Sequence, residues 1–474
     1  MPALRDLVII GGGAGGLVVA SVAAQLGLDV VLINKDEAMG GDCLHYGCVP
    51  SKTLLKSASV AHLIAQSDRW GIASRPPEID MKAINRVIKD AIATIQVHDS
   101  RERFEALGCE VITGEAHFCG HSQVEVNDRK ISAKHFVVAT GSTAWLPPIK
   151  GLREVGYLTN EDMFDLPVLP KSLVVLGGGP VGVEMAQAYS RLGTAVTLIE
   201  LAPRLLPRMD SDLSGILEEV LQSEGVCLEL NKEVVEAAEY DDPEQGKVKQ
   251  LILKDGSSHR AEALLVAIGR RPVLDSLNLE QAGIEFTTRG IRVNRKMRTS
   301  NRRVFACGDV TGEMPLTHVA ELQAGIVIAN MIFKLPKKIS YEAVPAVVYS
   351  EPEVAQVGIS VEQCNALAKG EIHQFEVDQL DRAVTDNNKA GTAKILTDNG
   401  RIVGAHIIAP HAGELIHEFA LAIQNRMKVS SLTSLVHAYP SYSQLNKRLA
   451  GQYYKDRLFS PFTRKMVAVL NRLF

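Results

Sequence analysis

The chain opens on an apolar run that changes character twice within thirty residues. Leu7–Ile10 are consecutively apolar, five glycines fill six positions from 11 to 16, and the small-residue stretch VVASVAAQLG leads into DVVLIN. No charged side chain falls between residues 7 and 28, a length that would suit a membrane span. The glycine cluster argues against a span. It breaks the run into an apolar strand, a tight turn, a helix of small residues and a second strand. The pattern then returns: residues 172–182 read SLVVLGGGPVG and lead into VEMAQAYSRLG and AVTLIE. Two strand–turn–helix–strand units predict an α/β chain.

Each turn carries a G-x-G-x-x-G, formed by Gly11, Gly13 and Gly16 and again by Gly177, Gly179 and Gly182. The first glycine permits the turn, the second lets the backbone approach a pyrophosphate, and the third lets helix pack on strand. The helix N-terminus then offers free N–H groups to the phosphates. Two such motifs in the right context predict two Rossmann-like dinucleotide-binding domains. The residue ending the second strand of each unit reads the ribose. Glu200 would accept from a 2′-hydroxyl and repel a 2′-phosphate, favouring NAD over NADP, with Arg204 nearby working weakly against it. Asn34 takes the equivalent place in the first unit and would bond a ribose hydroxyl less strongly.

A net charge of −4 gives no field suited to nucleic acid. MPALRDLVII lacks a basic segment followed by a cleavage site, so no signal peptide is expected. Five of the seven cysteines (Cys109, Cys119, Cys227, Cys307 and Cys364) are scattered, which reads as buried, reduced thiols of a cytoplasmic protein. Cys43 and Cys48 stand apart, in GGDCLHYGCVPSK at residues 40–52. Taken alone, that segment could be a metal clip, a structural crosslink or an electron-handling pair. A zinc site would want further ligands at regular spacing, and none follows nearby.

With both nucleotide motifs placed, the chain resembles the flavoprotein disulfide reductases, the group of dihydrolipoamide dehydrogenase, glutathione reductase and mercuric reductase. The resemblance runs through Ala139-Thr140-Gly141-Ser142, AIGRRP at 267–272, FACGDV at 305–310, LTHVA at 316–320 and VPAVVYSEPEVAQVG at 344–358. It implies residues 1–150 as the first segment of an FAD-binding domain, 151–272 as an NAD-binding domain, 273–342 as a central segment completing the FAD site, and 343–474 as an α+β interface domain of a homodimer. The implied cofactor contacts add Gly41, Thr140, Gly141, Gly269, Gly308, Asp309 (to the ribityl chain) and Thr317. Cys43 and Cys48 become a redox pair. Cys48 is the sulfur nearest the flavin and forms the charge-transfer thiolate, and Cys43 exchanges with substrate. Lys52, also near the cofactor, lowers the thiol pKa and pairs with Glu184 of GVEMA. Electrons run between NADH, FAD and this pair. No metal ligand set is read.

The chain departs from the family at HAYPSYSQ, residues 437–444. Disulfide-reducing members carry a His before this Pro and a Glu five positions after that His, an acid–base pair for thiol–disulfide exchange. Here the two positions hold Tyr439 and Gln444. A phenol of ordinary pKa near 10 is a poor proton shuttle. His437 could serve instead, though a packing or surface histidine is the simpler reading. The acceptor therefore stays open between a small disulfide or dithiol, a quinone, and a metal ion as in mercuric reductase, whose C-terminal cysteine pair has no counterpart after Cys364. Finally, residues 447–474 carry seven basic residues and one acid. From Phe462 the apolar positions follow one helical face. Such a helix suits an anionic membrane, which would make the protein membrane-peripheral, or a protein partner, or the dimer's own surface; the last is the plainest expectation.

Overall fold

The computed structural model describes residues 4–473 apart from 74 and 243–245. The chain divides into two compact units, Met1–Gly177 with Ala188–Ile199 and Glu233–Ser340, and Gly178–Gln187 with Glu200–Lys232 and Tyr341–Phe474.

In the first unit the strand Arg5–Ile10 lies parallel between Val30–Asn34 and Arg129–Val138, with Leu7 opposite Val30 and His135. Cys109–Thr113 extends the sheet on one side, and Val304–Ala306 pairs in parallel with the end of Arg129–Val138. Leu7, Val8 and Ile9 are fully buried, as strands covered on both faces must be, and this accounts for the uncharged opening of the sequence. The helix Ala14–Gln25 buries Gly15, Gly16, Leu17, Val19 and Ala20. The apolar stretch is thus a strand and a short helix, and no described helix is long and apolar enough to cross a membrane. A second parallel set in this unit places Ser172–Leu176 between Ala263–Val266 and the strand that starts at Ala195. Leu152, Val174, Leu176, Ile199, Leu251 and Leu264 form its core.

The second unit contains an antiparallel sheet in the order Ala346–Val348, Glu353–Gly358, Arg401–Ala409, Thr392–Asp398, Gly370–Glu376. The helices Ala412–Gln424 and Gln444–Leu458 supply Phe419, Leu445 and Leu449 to a core shared with Ile395 and Ile407. A polar cluster sits among these apolar groups. Lys394 Nζ donates to Asp210 Oδ1 at 2.8 Å and Asp212 Oδ2 at 2.6 Å, and His406 Nδ1 lies 3.2 Å from Asp210 Oδ2. Burial pulls the Asp210 carboxyl upward, but hydrogen bonds from His406 and Lys394 outweigh it and hold the group well below the usual carboxylate range.

All seven cysteines are free, and Cys109, Cys307 and Cys364 are buried as expected. Two are not. Cys119 is half-buried and Cys227 is exposed, because Cys227 opens a strand whose first residue faces outward.

Candidate active site

The glycines of the first turn are required by close packing. A Cβ on Gly11, which has φ 111°, would sit 2.2 Å from Ala139 O, and one on Gly16 would sit 1.9 Å from Gly11 O. Gly13 precedes the helix Ala14–Gln25, which has no side-chain cap and no acid in its first turn. Its unpaired N–H groups are left for an anion. Gly41, at φ 66°, lies against Gly13, where a Cβ would come within 2.8 Å of the Gly13 Cα. This cradle of bare backbone fits the pyrophosphate of FAD. Asn34 braces it: its Oδ1 accepts from Gly12 N at 2.9 Å, and its Nδ2 donates to Asp36 O and Ala38 O. Both amide hydrogens are spent, so only an oxygen lone pair remains for a ribose hydroxyl.

Thr140 Oγ1 donates to Val273 O at 2.9 Å, and Gly141 is left-handed at φ 70°. Asp309 follows Gly308 (φ 80°), whose N–H donates to Gln323 Oε1. Gly269, at φ 144°, accepts on its carbonyl from Trp145 N. A chain of contacts that the sequence did not reveal joins these segments to the cysteine motif. Ser142 Oγ donates to Asp309 Oδ2 at 2.6 Å and accepts from Arg270 Nε at 2.8 Å. Arg270 pairs with Asp42 Oδ1 at 2.9 Å, and Asn160 Nδ2 donates to the same oxygen and to Tyr46 O. Asp42 precedes Cys43 in the short helix Gly41–His45 and Tyr46 caps that helix, so the network fixes it.

Cys48 is the first residue of the eighteen-residue helix Cys48–Ala65, where free N–H groups and the helix dipole favour an anion. It is exposed, Cys43 is half-buried, and both are reduced. Cys48 Sγ lies 3.4 Å from Thr317 Oγ1. A hydrogen bond from Cys43, aided by Thr317 and the charge of Lys52, lowers the Cys48 thiol to about 6. The same bond, with burial, pushes the Cys43 thiol far up. One proton is thus held on Cys43 and the negative charge sits on Cys48. Lys52 Nζ also donates to Ser51 Oγ at 3.3 Å.

In the second unit Glu184 is buried in the helix Pro180–Arg191 and accepts from Tyr349 N at 2.9 Å. Glu200 Oε1 accepts from Ala202 N at 2.7 Å, and Oε2 from Gly178 N. Gly179 has open space where a Cβ would stand, and the helix that Gly182 belongs to has no acid in its first turn. Gly177, in the first unit, has φ 112°, and a Cβ there would meet Ala267 O at 2.6 Å. The second unit's Gly179, Gly182 and Glu200 fit a second dinucleotide. Arg204 spends its guanidinium on Met209 O and Pro207 O, so it is tied to its own loop.

Tyr439 is 69% exposed. A hydrogen bond to Asp381 raises its phenol further, away from any proton-shuttling range. Gln444 opens the helix Gln444–Leu458, and among the described residues no hydrogen bond joins it to Tyr439. Of the packing and surface roles expected of His437, the structure shows packing. Its side chain is 5% exposed, and Nε2 lies 3.2 Å from Glu418 Oε1. Asn446 Nδ2 donates to Glu418 Oε2 at 2.7 Å and to Leu415 O. His437 Nδ1 is buried without a partner among the described residues. A histidine oriented by a carboxylate therefore exists here, built from a glutamate on the helix Ala412–Gln424 that no local motif announces. Among the described residues no cluster could hold a metal ion.

Parallel nucleotide folds, a thiolate-forming cysteine pair and an α+β C-terminal sheet define a flavin- and nicotinamide-linked dithiol oxidoreductase. The chain belongs to the pyridine nucleotide-disulphide oxidoreductase family: the family model matches residues 5–324, and its dimerisation domain matches residues 344–449. The family uses FAD and NAD(P), and the dimerisation domain supports a homodimer. The chain is 34% identical to a mercuric reductase of Lysinibacillus sphaericus, over 95% of this chain and 83% of that one. It is 32% identical to a dihydrolipoyl dehydrogenase of Haloferax volcanii, over 93% and 94%. Among solved structures, LpdA from Mycobacterium tuberculosis superposes with TM-score 0.86 at 28% identity, over 96% and 100% of the two chains. The Cu(II) complex of the HOCl-induced flavoprotein disulfide reductase RclA from Escherichia coli gives 0.85 at 26%, over 94% and 99%.

Proposed function

We propose that the protein moves electrons between NADH and a disulfide or dithiol substrate through Cys43 and Cys48. The observation that carries this reading is the asymmetric thiol pair. FAD and the nicotinamide supply the hydride chemistry. This chain's residues do the rest. The backbone cradle of Gly11, Gly13, Gly16 and Gly41, with Asn34, Thr140, Gly141, Gly308 and Asp309, would hold FAD. Gly179, Gly182 and Glu200 would hold NADH, whose 2′-hydroxyl would donate to a carboxylate lone pair that the backbone N–H groups leave unused. Lys52, Thr317 and the helix N-terminus stabilise the Cys48 thiolate. Cys43 attacks the substrate disulfide once its proton is removed. His437, oriented by Glu418, is the base this chain offers in place of Tyr439 and Gln444.

The same pair could instead serve a soft metal ion or a quinone. The mercuric reductase relatives and the missing dyad favour a non-disulfide acceptor as the second reading. A steady-state screen of NADH oxidation against lipoamide, small disulfides, quinones and Hg²⁺ decides. Turnover with lipoamide or a disulfide that is lost in Cys43→Ser supports the proposal. Turnover confined to quinones or Hg²⁺ overturns it.

A further inference from the structure

The helix Pro461–Leu473 lies beyond residue 449, where the match to the family's dimerisation domain ends. None of its residues is buried. Phe462 is 76% exposed and Leu473 71%, and Met466, Val469 and Leu470 are exposed between them. At 100° per residue these five fall within one stripe. Lys465 and Arg472 flank the stripe along one edge, and Arg464 lies behind it. No acid occurs from Pro461 to Phe474, and among the described residues none of the three cations has an ion-pair partner. An apolar face bordered by unpaired cations matches an anionic lipid surface: hydrocarbon for the stripe and headgroup charge for the border. At thirteen residues the helix lies on a bilayer rather than crossing it.

We propose that this helix docks the protein on anionic membranes, with the apolar stripe sunk to the acyl boundary. The FAD-loaded full chain would be cosedimented with vesicles of phosphatidylcholine, alone or with about a third phosphatidylglycerol, at low and high salt. The protein should pellet only with phosphatidylglycerol vesicles and be released by salt. Replacing Lys465 and Arg472 together by Glu should weaken binding at least tenfold, since each juxtamembrane cation is worth about fivefold. Phe462→Ser with Leu470→Ser should abolish it. Both variants should keep the wild-type sedimentation coefficient and NADH oxidation rate. Failure of the wild type to bind, or binding indifferent to both double variants, overturns the proposal. So does conversion of the Phe462→Ser, Leu470→Ser protein to a monomer, which would make the helix a subunit contact.

Discussion

Removing the Cys43 thiol should move the titration of Cys48. The largest cause of the lowered Cys48 thiol is the hydrogen bond from Cys43, so Cys43→Ala should raise its midpoint from about 6 toward the ordinary value of 9.0. At pH 7 a thiol of pKa 6 is about 90% ionised and one of pKa 9 about 1%. Reactivity changes less than ionisation, because a thiolate of higher pKa is the better nucleophile. With a Brønsted slope of about 0.4–0.5, three units return a factor of about 15–30. The alkylation rate at pH 7 should therefore fall only about three- to sixfold, while the plateau rate at high pH rises by the larger factor. The assay is iodoacetamide alkylation of the reduced protein from pH 5 to 10, with Cys48 followed by peptide mass spectrometry. Thr317→Val and Lys52→Met, which remove smaller contributions, should shift the midpoint in the same direction by less. A wild-type midpoint near 8.5 or above, or a Cys43→Ala midpoint unchanged within a few tenths of a unit, refutes the reasoning.

Three further outcomes are expected. Glu200→Ala should shrink the preference for NADH over NADPH by about tenfold or more in stopped-flow reduction, since a charge-assisted hydrogen bond is worth about 1.5–3 kcal/mol; an unchanged ratio would remove Glu200 from the ribose site. His437→Ala should slow disulfide turnover by about 10²–10⁴-fold and leave reduction by NADH intact, with Glu418→Gln in between; Tyr439→His with Gln444→Glu should raise lipoamide turnover in either background. Lys394→Met, which strips a buried cation from Asp210, should destabilise the second unit by about 3–5 kcal/mol in urea unfolding. The depressed Asp210 carboxyl contributes stability that is present above the unfolded carboxylate value and lost on acidification below it. The raised Lys394 ammonium contributes below its ordinary value and is lost as pH rises past it. The loss in Lys394→Met should therefore be constant from about pH 5 to 10.

The features legible in the sequence were those whose physics is local. Gly11 and Gly16 announce themselves because a turn tight enough to bring backbone within 2.2 Å of a would-be Cβ excludes every other residue. The unread features are contacts between distant segments. Arg270 reaches Asp42, Ser142 reaches Asp309, and Lys394 reaches Asp210; nothing near any of these residues marks its partner. Glu418 is the most instructive case. The family's acid–base pattern is absent where the motif would put it, so the local sequence reads as a loss. Yet the fold brings a carboxylate from the helix Ala412–Gln424 to His437.

If Cys43 and Cys48 are a working electron store beside the flavin, an anaerobic titration counts the electrons they hold. Oxidised holoenzyme would be titrated with dithionite and then with NADH while the visible spectrum is recorded. A flavin plus a redox-active disulfide takes up four electrons per chain, the first two going to the pair and producing a long-wavelength absorbance from the Cys48 thiolate. Four electrons are expected for the wild type, and two with no such absorbance for Cys48→Ser. Two electrons in the wild type, with the flavin bleaching from the first equivalent, would contradict such a store.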